Sequence, residues 1–129
     1  MGEGMDCPGN LLFVYGTLKR GFCRAPLLAA EQFLCESVTQ PCYRLLDCGE
    51  YPGLIESDLG MRIRGEIWRV GDECLEEIDR VEDVVGGLYV RQQIKLEAEF
   101  NQRVLGYLYN LDTVGLTDCG ESWEKGKRL

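Results

Sequence analysis

The feature that most constrains this chain is an unbroken apolar run, Leu11-Leu12-Phe13-Val14-Tyr15, which breaks on Gly16-Thr17 and closes through Leu18-Lys19-Arg20 on Gly21. A run this short, rich in aromatic and branched side chains and ended by Gly, reads as a strand buried on both faces. The Gly lets the backbone turn sharply where a side chain would clash, so successive N–H groups can point at one spot. An ordinary strand-to-loop exit has the same pattern. The run alone does not choose between a plain turn and an anion-holding one.

A length of 129 residues suits one domain, burying roughly two-thirds of its unfolded surface. With 45% hydrophobic and 28% charged residues, a folded globule is expected, and no apolar stretch approaches the length needed to cross a bilayer. The opening Met1-Gly2-Glu3-Gly4-Met5-Asp6 has acidic residues where a signal peptide needs positive charge and then an apolar run. A cytoplasmic location is therefore expected. Seven cysteines look like a disulfide framework, but the number is odd and no pair has C-x-x-C spacing. They read as small buried apolar residues in a reducing compartment. Cys42 and Cys48 lack the further ligands that a metal site needs.

The net charge of −8 disfavours a nucleic-acid partner. The absence of histidine is sharper. It removes Ser–His and Cys–His nucleophile pairs, His-ligated metals and imidazole proton shuttles in one step. An enzyme built on this chain without a metal uses a carboxylate as its proton carrier before Lys, Tyr or Cys.

Along the chain, residues 1–10 read as a flexible lead-in, 11–111 as a single domain and 112–129 as a polar, mobile tail. Residues 22–34 read as a loop leading into a short helix, with Pro26 near its first turn. Pro41 demotes the strand-like stretch 36–46 to an edge or a bulge. Met61 to Val70 alternates: Met61, Ile63, Gly65 and Ile67 form the inward row, and Arg62, Arg64 and Glu66 the outward one. Gly65 in the inward row marks a bulge or a close backbone approach. An acidic helix follows from Asp72, its expected N-cap, to about Glu82. Val90 to Phe100 is a second alternating strand with Val90 inward, pairing antiparallel with 104–111. Strands outnumber helices, so the expected class is α+β, a curled or closed sheet with one or two packed helices.

The helix carries one carboxylate on the wrong face. With Leu75 at zero and ~100° per residue, Ile78 falls near ~300° and Glu82 near ~340°, inside the apolar arc. Glu76, Arg80 and Asp83 fall on the solvent side, while Glu77 and Asp79 sit at the stripe's edges. A buried, unpaired carboxylate is costly unless it is protonated, hydrogen-bonded or in use. Glu82 is therefore a candidate general acid or base tuned toward neutral pH. The bland alternative is a frayed helix end that bends to solvent or pairs with Arg91.

Tyr15-Gly16-Thr17-Leu18 after an apolar strand, then Ile78-Asp79-Arg80-Val81-Glu82, then Leu88-Tyr89-Val90-Arg91, together resemble the gamma-glutamylcyclotransferase-like superfamily. The likeness is to its gamma-glutamylamine cyclotransferase and AIG2-like branch and spans about residues 11–111. Tyr51-Pro52-Gly53-Leu54 and Gly65-Glu66-Ile67-Trp68 also look like family positions. The resemblance implies a small mixed β-barrel with a few short helices. It makes Glu82 the catalytic carboxylate and Tyr15, Gly16, Thr17 and Leu18 the substrate loop. Tyr89, and Tyr107 or Tyr109, become candidate pocket walls. The gap from Glu82 to Tyr89, with Gly86-Gly87 inside it, is a residue longer than is common.

The reaction it implies is lyase-type ring closure of a γ-glutamyl amide by its own α-amine, releasing 5-oxoproline and an amine or amino acid. It implies no cofactor, no metal and a small-molecule partner rather than a nucleic acid or a membrane. The oligomeric state stays open. Two other functions share the same pocket: a binding module without turnover, and a biosynthetic step that removes a γ-glutamyl protecting group. A structural or protein-interaction domain using Trp68 and Trp123 as contacts is a further possibility.

Overall fold

The computed structural model describes residues 9–127, so most of the expected lead-in lies outside the described residues. In chain order the strands are β1 (Asn10–Val14), β2 (Gln32–Val38), β3 (Tyr43–Asp47), β4 (Pro52–Glu56) and β5 (Arg64–Val70), then β6 (Tyr89–Gln93), β7 (Val104–Tyr109) and β8 (Thr117–Asp118). One α-helix, α1 (Asp72–Val81), joins β5 to β6, and a short 3-10 helix, Ala25–Leu28, lies between β1 and β2.

The apolar run Leu11–Val14 takes the middle of a five-stranded sheet ordered β2-β5-β1-β7-β6. It lies antiparallel to β5 and parallel to β7. Its side chains alternate between two cores, which is why the run is continuous. Leu11 and Phe13 pack with Tyr43, Leu45 and Leu54 of the second sheet, ordered β4-β3-β8. Leu12 and Val14 pack on the other side with Leu28 of the 3-10 helix and with Leu75 and Ile78 of α1. Full burial of a side chain such as Phe13 contributes about 1.5–3 kcal/mol. Two curled sheets with few helices make a barrel-like α+β fold, although the strands do not close into one continuous barrel among the described residues.

Gly65 sits where β5 crosses β1. A Cβ there would lie 2.5 Å from both Phe13 Cζ and the Val14 carbonyl oxygen, so the expected close backbone approach is what this position holds. In α1, Leu75 and Ile78 are buried while Glu73, Glu76, Glu77 and Arg80 face solvent. Its N-cap is Gly71 rather than Asp72. Asp72 enters the first turn, where its charge suits the helix dipole, and accepts a hydrogen bond from Asn10 Nδ2 at 3.0 Å.

Three stretches differ from the expectation. Pro41 lies in the turn between β2 and β3, and β2 starts earlier, at Gln32. Val90 is exposed although it shares the face of Ile94 and pairs with Leu108, which belong to the first core, while Tyr89 is buried on the opposite face, in the second core with Tyr107. Beyond Leu111 the chain keeps packing. β8 pairs with β3, and Trp123 enters the core at 2% exposure. One tryptophan burying its whole ring anchors a segment that is otherwise polar.

Candidate active site

The four residues after β1 turn back on themselves. Lys19 N–H donates to the Gly16 carbonyl at 3.1 Å, and Arg24 N–H to the Thr17 carbonyl at 2.8 Å. Tyr15, Gly16, Thr17 and Leu18 are all buried. A Cβ at Gly16 would lie 2.6 Å from Pro52 Cγ, so the proline ring of the neighbouring strand fixes this position as glycine. Among the described residues, the N–H groups of Gly16, Thr17 and Leu18 donate to no protein acceptor. Buried backbone donors are nearly always paired, so three in succession form a ready seat for an anion or a polarised carbonyl oxygen.

Glu82 caps the C-terminal end of α1, its own N–H donating to the Ile78 carbonyl at 2.8 Å. Its side chain is 13% exposed and turns into the same hollow as the loop, as the helical period predicts. Tyr51, Pro52, Tyr89 and Tyr107 complete the walls. The free space between them is about 20 Å³, enough for one water-sized group. Burial pushes the Glu82 carboxyl up from 4.5 to about 7, against a smaller downward pull from Arg24. The Arg24 guanidinium is 3.9 Å away, an ion pair beyond hydrogen-bonding distance. The alternative pairing with Arg91 does not form. Arg91 Nη1 instead meets Asp79 Oδ2 at 2.6 Å.

The tyrosines are tied into the protein around this acid. Tyr15 Oη donates to the Tyr107 carbonyl at 2.7 Å and accepts from Leu54 N–H at 3.3 Å. Tyr107 Oη donates to Asp79 Oδ1 at 2.7 Å, and Tyr89 Oη donates to the Pro52 carbonyl. Burial first, and the Glu82 charge among the smaller causes, raises the pKa of all three hydroxyls. Of the two β7 candidates, Tyr107 lines the hollow, while Tyr109 packs edge-on to Tyr89 at 5.7 Å. Tyr89 reaches the wall despite the longer gap that precedes it.

Lys19 and Arg20 lie behind the loop rather than in the hollow. Lys19 is 7% exposed and donates from Nζ to the Trp123 carbonyl at 2.8 Å, and burial lowers its pKa. Arg20 is held by Glu66, which the strand alternation placed outward and which is in fact 7% exposed. Glu66, Arg24 and Asp79 are the residues that sequence reasoning passed over as site components. Asp79 at the edge of the helix stripe was the one readable signal. Among the described residues, no group of three or more Cys, Asp or Glu side chains is placed to hold a metal ion.

Residues 12–125 match the family model described as gamma-glutamyl cyclotransferase, AIG2-like. A Vibrio cholerae protein provisionally named a gamma-glutamylcyclotransferase is 40% identical over 75 residues, covering 58% of this chain and 64% of the relative. An Arabidopsis thaliana protein with the same provisional name is 34% identical over 97 residues, 69% of this chain and 52% of the relative. The alignments thus span between half and two-thirds of those relatives. Among solved structures, a protein specific to uropathogenic E. coli superposes with a TM-score of 0.76 at 28% identity, covering 88% of this chain and 91% of that one. A mouse AIG2-like protein superposes at 0.71 and 26% identity, covering 91% and 89%. With the loop, the helix-end acid and the barrel-like scaffold all in place, the chain belongs to the gamma-glutamyl cyclotransferase, AIG2-like family.

Proposed function

We propose that this protein closes γ-glutamyl amides to 5-oxoproline, with Glu82 carrying the proton. One observation carries the reading: a carboxyl near neutrality shares a hollow with three backbone N–H groups that have no acceptor among the described residues. At neutral pH the substrate's α-ammonium cannot attack. The Glu82 carboxylate takes one of its protons, and the freed amine adds to the γ-carbonyl carbon of the same molecule. The oxygen charge that develops meets the loop N–H groups, an arrangement that typically lowers the barrier by ~3–4 kcal/mol per donor. The C–N bond to the leaving amine then breaks as Glu82 returns its proton to the departing nitrogen, and the second proton of the former ammonium passes from the ring nitrogen to the amine, which leaves as an ammonium ion. No water is consumed, and one substrate gives one lactam and one amine.

A carboxyl with pKa near 7 is present in both protonation states at neutral pH, which suits a group that must take and then give a proton. Holding the amine against the carbonyl contributes up to ~7–11 kcal/mol in favourable cases. A γ-glutamyl head is larger than the space in the resting hollow, so binding requires the walls to part.

The test is incubation with γ-glutamyl dipeptides, γ-glutamyl-ε-lysine and glutathione, with 5-oxoproline as the readout. Release of 5-oxoproline from at least one of them is expected. Silence across the panel overturns the proposal.

A further inference from the structure

The hydroxyl protons around the hollow have forced directions. Carbonyl oxygens carry no proton to give, and neither does a carboxylate held by an arginine. Tyr15 and Tyr89 therefore donate to the Tyr107 and Pro52 carbonyls, and Tyr107 donates to Asp79 Oδ1. The Asp79 carboxylate is fixed from its other oxygen by Arg91 at 2.6 Å, and Arg91 lies directly opposite Tyr107 in the β6–β7 ladder. With its proton held by Asp79, the Tyr107 oxygen offers lone pairs alone to a bound molecule.

The hollow is thus polarised. One wall holds Glu82 and Tyr107, whose hydroxyl feels the Glu82 charge, and it accepts hydrogen bonds. The other, the Gly16–Leu18 backbone, donates them. We infer that Asp79 is a positioning residue. By holding the Tyr107 proton it makes that oxygen the acceptor for the substrate's α-amine, turning the amine toward Glu82 and the head group's oxygens toward the loop.

This rests on the γ-glutamyl reading and adds what that reading lacks, a direction for the bound head group. It also has a chemical consequence. After Glu82 removes one proton, the amine keeps two N–H bonds and one lone pair. An acceptor that engages an N–H leaves the lone pair free to reach the γ-carbonyl. A hydroxyl turned the other way would donate to that lone pair and quench it.

The test compares two ligands in the Glu82→Gln background, where turnover does not intervene: γ-glutamylalanine and glutarylalanine, which lacks the α-amine. Calorimetric titration should find the first bound more tightly. Adding Tyr107→Phe, which keeps the Asp79–Arg91 pair, should weaken γ-glutamylalanine by at least about tenfold and leave glutarylalanine within about twofold, as expected for loss of a charge-assisted hydrogen bond. Asp79→Leu, which frees the Tyr107 proton, should collapse the same ratio.

Equal weakening of both ligands would assign Asp79 and Tyr107 a merely structural role and overturn the inference, and so would an unchanged ratio. If Asp79→Leu does not fold, Tyr107→Phe alone decides. If the parent makes no 5-oxoproline yet the ratio behaves as stated, the head-group assignment stands and the reaction falls. If 5-oxoproline forms and the ratio does not move, the reverse holds.

Discussion

Two buried glutamates stand on opposite sides of the loop that follows β1, and they are treated differently. Glu66, behind the loop, receives three hydrogen bonds: Arg20 N–H and Nε–H at 3.1 Å each, and Trp68 Nε1–H at 3.0 Å. Glu82, in front, receives none among the described residues and has only Arg24 at 3.9 Å. Burial costs a carboxylate several kcal/mol unless donors replace the lost water. Behind the loop they do, and the acid becomes a clamp. In front they do not, and the acid is left ready to exchange a proton. The same residue type is clamped on one side and left without donors on the other, and the number of donors makes the difference.

The largest test of that contrast is Glu82→Gln. Formation of 5-oxoproline should fall by about 10²–10⁴-fold, the usual contribution of a general acid–base. Stability should move the other way. The unfolded Glu82 ionises near 4.5 and the folded one near 7, so between those values the unfolded chain sheds its proton first. Stability contributed by this group is therefore lost as pH rises through 4.5–7 and is flat above it. The penalty is about 3 kcal/mol at most. Thermal melts at pH 5 and pH 8 should show the parent losing more than the Gln variant over that interval. A parent and variant with parallel melts and equal turnover would dissolve the distinction between the two acids.

Glu66→Ala attacks the other half. It leaves Arg20 and the Trp68 indole without their acceptor. Because the Arg20 side chain is half-exposed, the expected loss is about 2 kcal/mol rather than the full cost of breaking a buried pair. The loop loosens, so KM should rise more than kcat falls. A loss of kcat with KM unchanged would put Glu66 among the groups that act in the transition state.

What the sequence allowed for these two acids follows from the range of its signals. A helical period is local, and it turned Glu82 inward correctly because ten residues of one helix suffice to set a face. Strand alternation also set the face of Glu66 correctly, but alternation does not say what covers a face. The cover is Lys19-Arg20, folded back from β1 by contacts some 46 residues apart in sequence. The tail failed for the same reason. One ring, Trp123, fixes it with no periodic pattern around it. Arg24 comes near Glu82 because a turn bond to Thr17 curls the loop, which no spacing rule encodes.

Gly16→Ala gives a smaller effect, confined to the front. The new methyl would press on the Pro52 ring, and overpacking of this kind typically costs about 1–3 kcal/mol. Relief by a shift of the loop should raise KM severalfold while the Glu66 clamp keeps the fold. Paired with Pro52→Ala, which removes the obstructing ring atoms, part of the lost affinity should return. An additive double variant, with no recovery, would mean that the two residues do not share one wall.

The smallest effect tests Arg24, the one charge among the described residues that pairs with the front acid. Arg24→Gln keeps the backbone bonds of residue 24 and removes a cation that lowers the Glu82 pKa. On the proposed function, the midpoint of kcat/KM against pH follows Glu82 and should therefore move upward. The Arg24 side chain is 39% exposed, so solvent screens it and the shift should be small. Raising the salt concentration screens the same pair and should move the parent's midpoint in the same direction while leaving the variant's nearly still. A midpoint that stays put in both tests would show that burial alone tunes Glu82. The contrast between the two glutamates would then rest entirely on hydrogen-bond donors, with no contribution from the passing arginine.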